Sequence, residues 1–225
     1  MKKKYRYIII ILIIFVLSLI IRSALNKSDV DYESEVSYLL RDITISDADG
    51  DEAVKIKFTR NRDEDYALES SAVYKNDVEC SSQEYAIDKD GHVVSIKSNG
   101  DYSFACNLAY QENLLKMEII LNEDEKYIVE CEYDENGWRK QVNIYNTEKE
   151  LLKYYVCSFD AESREEEVSE YDKNNTLQYY YENICTEDNQ PVKVIKYKAN
   201  GELESTFIFE YETHRDSEVH ITHTD

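Results

Sequence analysis

Seven turn-bearing units recur through the second half of the chain, each led by an aromatic residue or, once, a cysteine: Tyr133 (YDENG), Tyr145 (YNTEK), Phe159 (FDAES), Tyr171 (YDKNN), Cys185 (CTEDN), Tyr197 (YKANG) and Tyr211 (YETHR). The steps between them are 12, 14, 12, 14, 12 and 14 residues, which defines a 26-residue unit of two strands and two turns. A unit this short cannot bury an apolar face alone, so successive units must stack into a continuous sheet. Adding 26 takes Leu151 to Leu177 and Leu203, Tyr155 to Tyr181 and Phe207, Val142 to Val168 and Val194, and Tyr145 to Tyr171 and Tyr197.

Composition agrees with a pleated chain. Twenty Tyr, one Pro and five Gly among 225 residues favour long strands over helices or disorder. The expected fold is all-β, an extended antiparallel β-meander built from 26-residue two-hairpin repeats and preceded by an N-terminal transmembrane helix. Asp, Asn, Gly or Ser stand in each turn, where the backbone must bend or visit positive φ. A four-residue turn at Asp134–Gly137 places Tyr133 opposite Trp138 on one face. Parity traced from there predicts a buried face of Tyr127, Val129, Cys131, Tyr133, Trp138, Val142, Ile144, Leu151, Tyr155, Cys157, Phe159, Val168, Leu177, Tyr179, Tyr181, Val194, Leu203, Phe207, Phe209 and Tyr211. The second face is more polar but carries Tyr145, Leu152, Tyr154, Val156, Tyr180, Ile184, Ile195 and Ile208. A sheet so patterned is curled on itself, partly covered, or binds something on that face.

Before residue 121 the rhythm weakens, and residues 51–120 read as degenerate repeats or a cap, ahead of the regular repeats at 121–225. Residues 26–50 read as a juxtamembrane spacer, with a short helix an option at Glu33–Arg41. Residues 1–25 read as a membrane anchor with a cytoplasmic tip at 1–6. Its uncharged core is Tyr7, Ile8, Ile9, Ile10, Ile11, Leu12, Ile13, Ile14, Phe15, Val16, Leu17, Ser18, Leu19, Ile20 and Ile21, behind Lys2, Lys3, Lys4 and Arg6. At 15 residues the run falls between a signal-peptide core and a full span. A retained anchor is favoured because no A-x-A-like site follows, and a cleaved signal is the alternative. The positive-inside rule puts the N-terminus in the cytoplasm and the rest outside the plasma membrane, as a single-pass protein.

Residues 1–22 hold five of the 26 Lys and Arg and none of the 47 Asp and Glu, which leaves 21 cationic against 47 anionic side chains, or −26. Such a domain is repelled by nucleic acid and by anionic lipid, so nucleic acid is excluded as a partner. The charge serves solubility, or it forms a surface that collects cations or a basic partner. Five cysteines, Cys80, Cys106, Cys131, Cys157 and Cys185, follow the repeat rather than any metal-ligand spacing. Cys131 and Cys157 fall on strands with one strand between them, about 9.5 Å apart, beyond disulfide reach.

The units YDENGWRKQV, EYDKNNTLQYYYENI and YKANGELESTFIFEYE resemble RHS/YD repeats of bacterial surface proteins over roughly residues 121–212. Tyrosine, turn and periodicity fit; Gly survives only at Gly137 and Gly201, and Asn146, Lys198 and Glu212 replace the Asp of YD. The resemblance implies an exported scaffold, sometimes in chains with toxin or adhesion roles, and carries over no catalytic residue.

Candidate chemistry is sparse. Asp47, Asp49 and Asp51 suggest a calcium loop, but Glu52 and Phe58 stand where its Gly and Glu belong, so an acidic hairpin turn is expected. His214, His220 and His223 with Asp216 suggest zinc only if the tail is irregular, and a solvated terminus is expected instead. No catalytic, cofactor-binding or metal site is assigned and no cofactor is expected. Tyr145, Tyr154, Tyr171, Tyr180 and Tyr197 are the candidate ligand-facing aromatics. The expected function is a membrane-anchored, extracytoplasmic binding or structural role without catalysis, with a protein or cell-envelope partner on the second face or a free edge, or an oligomer built by pairing edges. A toxin-associated or immunity-type accessory and an envelope-polymer-processing enzyme are the alternatives.

Overall fold

The computed structural model describes residues 36–215 apart from 62–66, 90–91, 102, 112–113, 123–124, 136–137, 160–164 and 187–190. The anchor at Tyr7–Ile21, residues 26–35, and Asp216, His220 and His223 lie outside the described residues, as does the side chain of His214.

Every regular element among the described residues is a strand: β1 (Val36–Asp47), β2 (Glu52–Asn61), β3 (Ala67–Lys75), β4 (Val78–Ile87), β5 (Val93–Gly100), β6 (Phe104–Gln111), β7 (Leu114–Asn122), β8 (Glu125–Tyr133), β9 (Arg139–Tyr145), β10 (Leu151–Phe159), β11 (Glu165–Asp172), β12 (Leu177–Cys185), β13 (Pro191–Lys198) and β14 (Leu203–Arg215). Consecutive strands are neighbours and β14 lies beside β1, so the fourteen strands close into an antiparallel barrel. The chain divides into two units by contact. Asp42–Phe209 contains part of every strand, and the other unit joins the chain up to Arg41 with the stretch from Glu210. Within the latter, Arg41 Nη2 donates to Glu210 Oε2 at 2.6 Å.

The meander order matches the sequence reading, but the sheet is closed rather than extended. A long twisted meander with one apolar face hides that face, and loses both exposed edges, by closing on itself. Closure therefore removes the free edges that edge-paired oligomers or strand addition would need. It also recruits β1 from residues 26–50, where the sequence suggests a spacer with a helix option: Leu40, Ile43 and Ile45 are buried on a strand.

The 26-residue period is exact in the strands. β8, β10, β12 and β14 begin at Glu125, Leu151, Leu177 and Leu203, and β9, β11 and β13 begin at Arg139, Glu165 and Pro191. The turns repeat atom by atom. In those after β9, β11 and β13, the amides of Asn146, Asp172 and Lys198 donate to the carbonyls of Glu150, Thr176 and Glu202 at 2.9–3.1 Å. The fourth residue, Lys149, Asn175 or Gly201, is left-handed with φ 62, 64 or 86°. Asp172 Oδ1 accepts the amides of Asn174 and Thr176, both at 2.9 Å, and Asn146 Oδ1 accepts that of Glu150 at 2.8 Å. This turn cap is what the acidic or amide residue after the tyrosine supplies. Replacing Lys149 by Gly removes a left-handed lysine and should raise stability by about 1 kcal/mol, while Asp172→Ala should lower it by about 1 kcal/mol. Urea unfolding checks both, and a stabilising D172A would contradict the cap.

Each repeat also carries a bulge next to this turn. Leu151 pairs with Tyr145 while Lys153 pairs with Ile144; Leu177 pairs with Tyr171 while Tyr179 pairs with Glu170; Leu203 pairs with Tyr197 while Ser205 pairs with Lys196. The skipped residues Leu152, Gln178 and Glu204 turn the three leucines to the opposite face. This corrects the predicted buried face: Leu151 and Leu177 are half-buried and Leu203 is 37% exposed. The first turn differs too. Asp134 accepts the Trp138 amide at 2.8 Å, so Tyr133 pairs with Arg139, and Trp138 packs on Phe159 at 5.6 Å between ring centroids. The cap consumes one residue more than a four-residue turn allows.

At the strand centres the predicted face is buried: Val129, Cys131, Val142, Ile144, Tyr155, Cys157, Val168, Tyr181, Val194, Phe207 and Phe209, joined by Ile43, Val73, Cys106, Met117 and Ile119 from the first half. Burial of each large apolar side chain contributes roughly 1.5–3 kcal/mol. The barrel interior is thus mainly apolar, interrupted by Glu170 and Lys196, while its outer face carries pairs such as Lys116 Nζ–Glu130 Oε1 at 3.0 Å. That polarity is the reverse of a membrane-spanning barrel, whose apolar band faces outward.

Candidate functional site

The outer face of β8–β13 brings together all five candidate aromatics. Tyr154 pairs with Tyr171 across β10 and β11, their rings stacked at 5.1 Å and 13°. Tyr180 pairs with Tyr197 across β12 and β13, stacked at 5.0 Å and 18°. Tyr145 occupies the corresponding place one repeat earlier, opposite Ile128. Because each bulge sets a leucine against the odd-strand tyrosine, the face carries three equivalent triads: Ile128–Tyr145–Leu151, Tyr154–Tyr171–Leu177 and Tyr180–Tyr197–Leu203. The tyrosines are half-buried, and Val156, at 37% exposure, lies on the same face of β10. Since the paired rings cover one face of each other, the stacked triads present ring edges, hydroxyls, leucine side chains and at most one face of each ring. The Tyr154 hydroxyl donates to Asn175 Oδ1 of the neighbouring turn.

Carboxylates border this array. Partial burial and then Glu130 and Glu132 raise the Tyr145 phenol, and partial burial and then Glu182 raise that of Tyr197. Glu167 and Glu182 are directly opposed across β11 and β12, beside the Ser169–Tyr180 pair. Ser169 Oγ donates to Glu167 Oε1 at 3.0 Å. Among the described residues, neither glutamate forms an ion pair with a cation.

A second constellation lies inside the barrel, where the repeat breaks its own apolar column: Ile144 is followed after 26 residues by Glu170 and after 26 more by Lys196. Glu170 and Lys196 are 5% and 6% exposed. Glu170 Oε1 accepts from Lys153 Nζ at 3.0 Å and Oε2 accepts from the Tyr181 hydroxyl at 2.8 Å. Lys196 Nζ lies 3.8 Å from the Tyr179 ring centroid and Lys153 Nζ lies 5.2 Å from that of Tyr155. Burial first, then the Glu170 charge, holds the Tyr155 phenol well above its ordinary value; burial and then Tyr155 do the same to Tyr181. At neutral pH both phenols are protonated. Parity alone would have revealed this cluster, since Glu170 and Lys196 stand two residues beyond the valine column.

Tyr181 and Tyr155 differ in one respect. Tyr181 is bonded to Glu170 at 2.8 Å, whereas the Tyr155 hydroxyl, buried beside the same carboxylate, makes no well-formed hydrogen bond. Tyr155→Phe should therefore raise stability by about 1 kcal/mol and Tyr181→Phe should lower it by about 2 kcal/mol. Denaturant unfolding of the two variants checks this, and changes of the same sign would refute the assignment.

The remaining sequence candidates do not assemble. Asp47 Oδ1 accepts the amides of Asp49 and Asp51 at 3.1 and 3.2 Å, which makes this the expected acidic hairpin turn, and Gly50 takes its left-handed position at φ 84°. No group of three metal-ligating side chains occurs among the described residues. None of the five cysteines is in a disulfide. Cys131 on β8 and Cys157 on β10 are buried with β9 between them, as apolar fillers of the interior.

No protein-family model and no curated protein matches the chain. Among solved structures, the chain is similar to a porin-like protein from Bacteroides vulgatus, with 9% identity and a TM-score of 0.43 over 78% of this chain and 99% of that one. It is also similar to a porin-like protein from Bacteroides uniformis, with 5% identity and a TM-score of 0.38 over 77% and 96% of the two chains. A DUF1329 family protein from Desulfovibrio piger shares 10% identity at a TM-score of 0.29 over 92% and 93%. Likeness this distant carries no conclusion about function.

Proposed function

We propose that the chain is a membrane-tethered, extracytoplasmic barrel that binds a protein or envelope partner on its outer face and performs no catalysis. The observation that carries this reading is the row of three triads, a partly exposed apolar array on seven adjacent strands of an otherwise charged surface. Monomeric proteins bury such patches or use them. The mainly apolar interior supports a domain standing in water, and Tyr7–Ile21 tethers it with the N-terminus inside. The RHS/YD-like repeat is read as the scaffold that spaces the array.

A photo-crosslinking residue placed at Val156, beside the second triad, should capture a partner in intact cells. The same residue at Val78, the most exposed large apolar side chain among the described residues at 67%, should not. Equal capture at both positions would remove the array as the binding face. A mass measurement on the membrane fraction tests the tether, and loss of the first 25 or so residues would exclude it.

A further inference from the structure

Resting on that reading of the outer face, we infer that its partner is an extended basic polypeptide segment, with Lys or Arg at about every third residue. The charge of the array selects this occupant. Glu167 and Glu182 face each other across β11 and β12 with no cation paired to either among the described residues. Like charges directly opposed in a sheet destabilise it, so the pair is an arrangement that a cation from outside would relieve. Glu182 also acts on Tyr197, so an ammonium or guanidinium seated between the two carboxylates meets the Tyr180–Tyr197 stack at the same time. Tyrosine with a lysine over it is a contact this chain already makes, at 4.8 Å for Lys57 over Tyr74 and 3.8 Å for Lys196 over Tyr179. At the other end of the array, Glu130 and Glu132 also lie near Tyr145, but Glu130 is already paired with Lys116 and Glu132 accepts from Asn143, so the open pair is Glu167 and Glu182.

The spacing fixes the form of the segment. Equivalent triads are two strands apart, about 9.6 Å, close to the rise of three residues of a polyproline-II chain, whose side chains return to the same side at every third residue. A segment crossing the strands therefore meets a triad at every third residue, and its leucine and tyrosine edges receive the side-chain stems. The formal charge of −21 draws such a segment in and repels nucleic acid and anionic lipid.

The test uses the full-length protein in neutral detergent and a fluorescent 15-residue peptide with lysine at every third position and serine between. Anisotropy should report binding that weakens as salt rises. Glu167→Gln/Glu182→Gln should weaken binding about tenfold, and Tyr154→Ser/Tyr180→Ser should do the same at unchanged charge. A control with the same charge change elsewhere, Glu79→Gln/Glu84→Gln on β4, should alter it less than twofold. The glutamine pair at 167 and 182 relieves repulsion, so it should fold at least as well as the wild type and keeps the test sound if the serine variant melts. Equal weakening by the control, or none by the serine pair, would overturn the proposal as mere attraction between net charges. If crosslinking at Val156 captures a neutral glycan, a second copy or a non-basic protein while the lysine peptide fails to bind, the basic segment is refuted and the binding face stands. Failure of both experiments refutes both.

Discussion

Replacing Glu170 by Ile, the residue at its place one repeat earlier, should lower the unfolding free energy by about 3–5 kcal/mol, against a typical total of 5–15 kcal/mol. The size of the loss comes from what the substitution leaves behind. Lys153 Nζ loses a carboxylate at 3.0 Å while its side chain is only 19% exposed, and the Tyr181 hydroxyl loses its acceptor at 2.8 Å. Isoleucine fits the column, since Ile144 fills the same position at 3% exposure, so packing is not the cause. The triple variant Lys153→Met, Glu170→Ile, Tyr181→Phe should accordingly recover most of the loss, because removing a buried charge together with its partners is nearly neutral. Urea unfolding of wild type, single and triple variants decides it. A triple variant no more stable than Glu170→Ile would show that the defect is steric.

That cluster marks where the sequence pattern stops being informative. The period, the turns and the buried columns Val142–Val168–Val194 and Tyr155–Tyr181 were legible because each depends on residues a few positions apart on one hairpin. The five outer tyrosines were legible from parity for the same reason, although their pairing into stacks required the register. Leu151, Leu177 and Leu203 misled because a single bulged residue reverses the face of everything before it, and nothing in the composition of Leu152, Gln178 or Glu204 announces a bulge. Closure was illegible for a different reason. It depends on β1 and β14 being neighbours, a non-local pairing with no turn to signal it. The opposed pair Glu167 and Glu182 was hidden among 47 acidic residues until the register placed them face to face.

Alkaline pH should unfold the barrel well before its backbone is damaged. Burial first, then Glu118, pushes the Cys106 thiol up to about 12, and burial pushes Cys131 to about 11, both from 9.0. Burial likewise raises the Tyr85 phenol to about 12 from 10.0, and holds Tyr155 and Tyr181 well above that value. Each group binds its proton more tightly in the folded chain, so each contributes stability that is whole below its unfolded value and is lost as pH rises toward the folded one. The window therefore opens near pH 9 for the thiols and near pH 10 for the phenols. By about pH 11 the two thiols alone withdraw roughly 5 kcal/mol at 1.36 kcal/mol per unit, an amount comparable with the stability of many whole domains. Cooperative loss of the strand signal between about pH 10 and 11.5 is the expected result. The double variant Cys106→Val, Cys131→Val should move the midpoint upward, because valine keeps the apolar filling and removes both protons. A midpoint unchanged by that variant would assign the transition to the tyrosines, and stability flat from pH 8 to 11 would contradict burial of the thiols altogether.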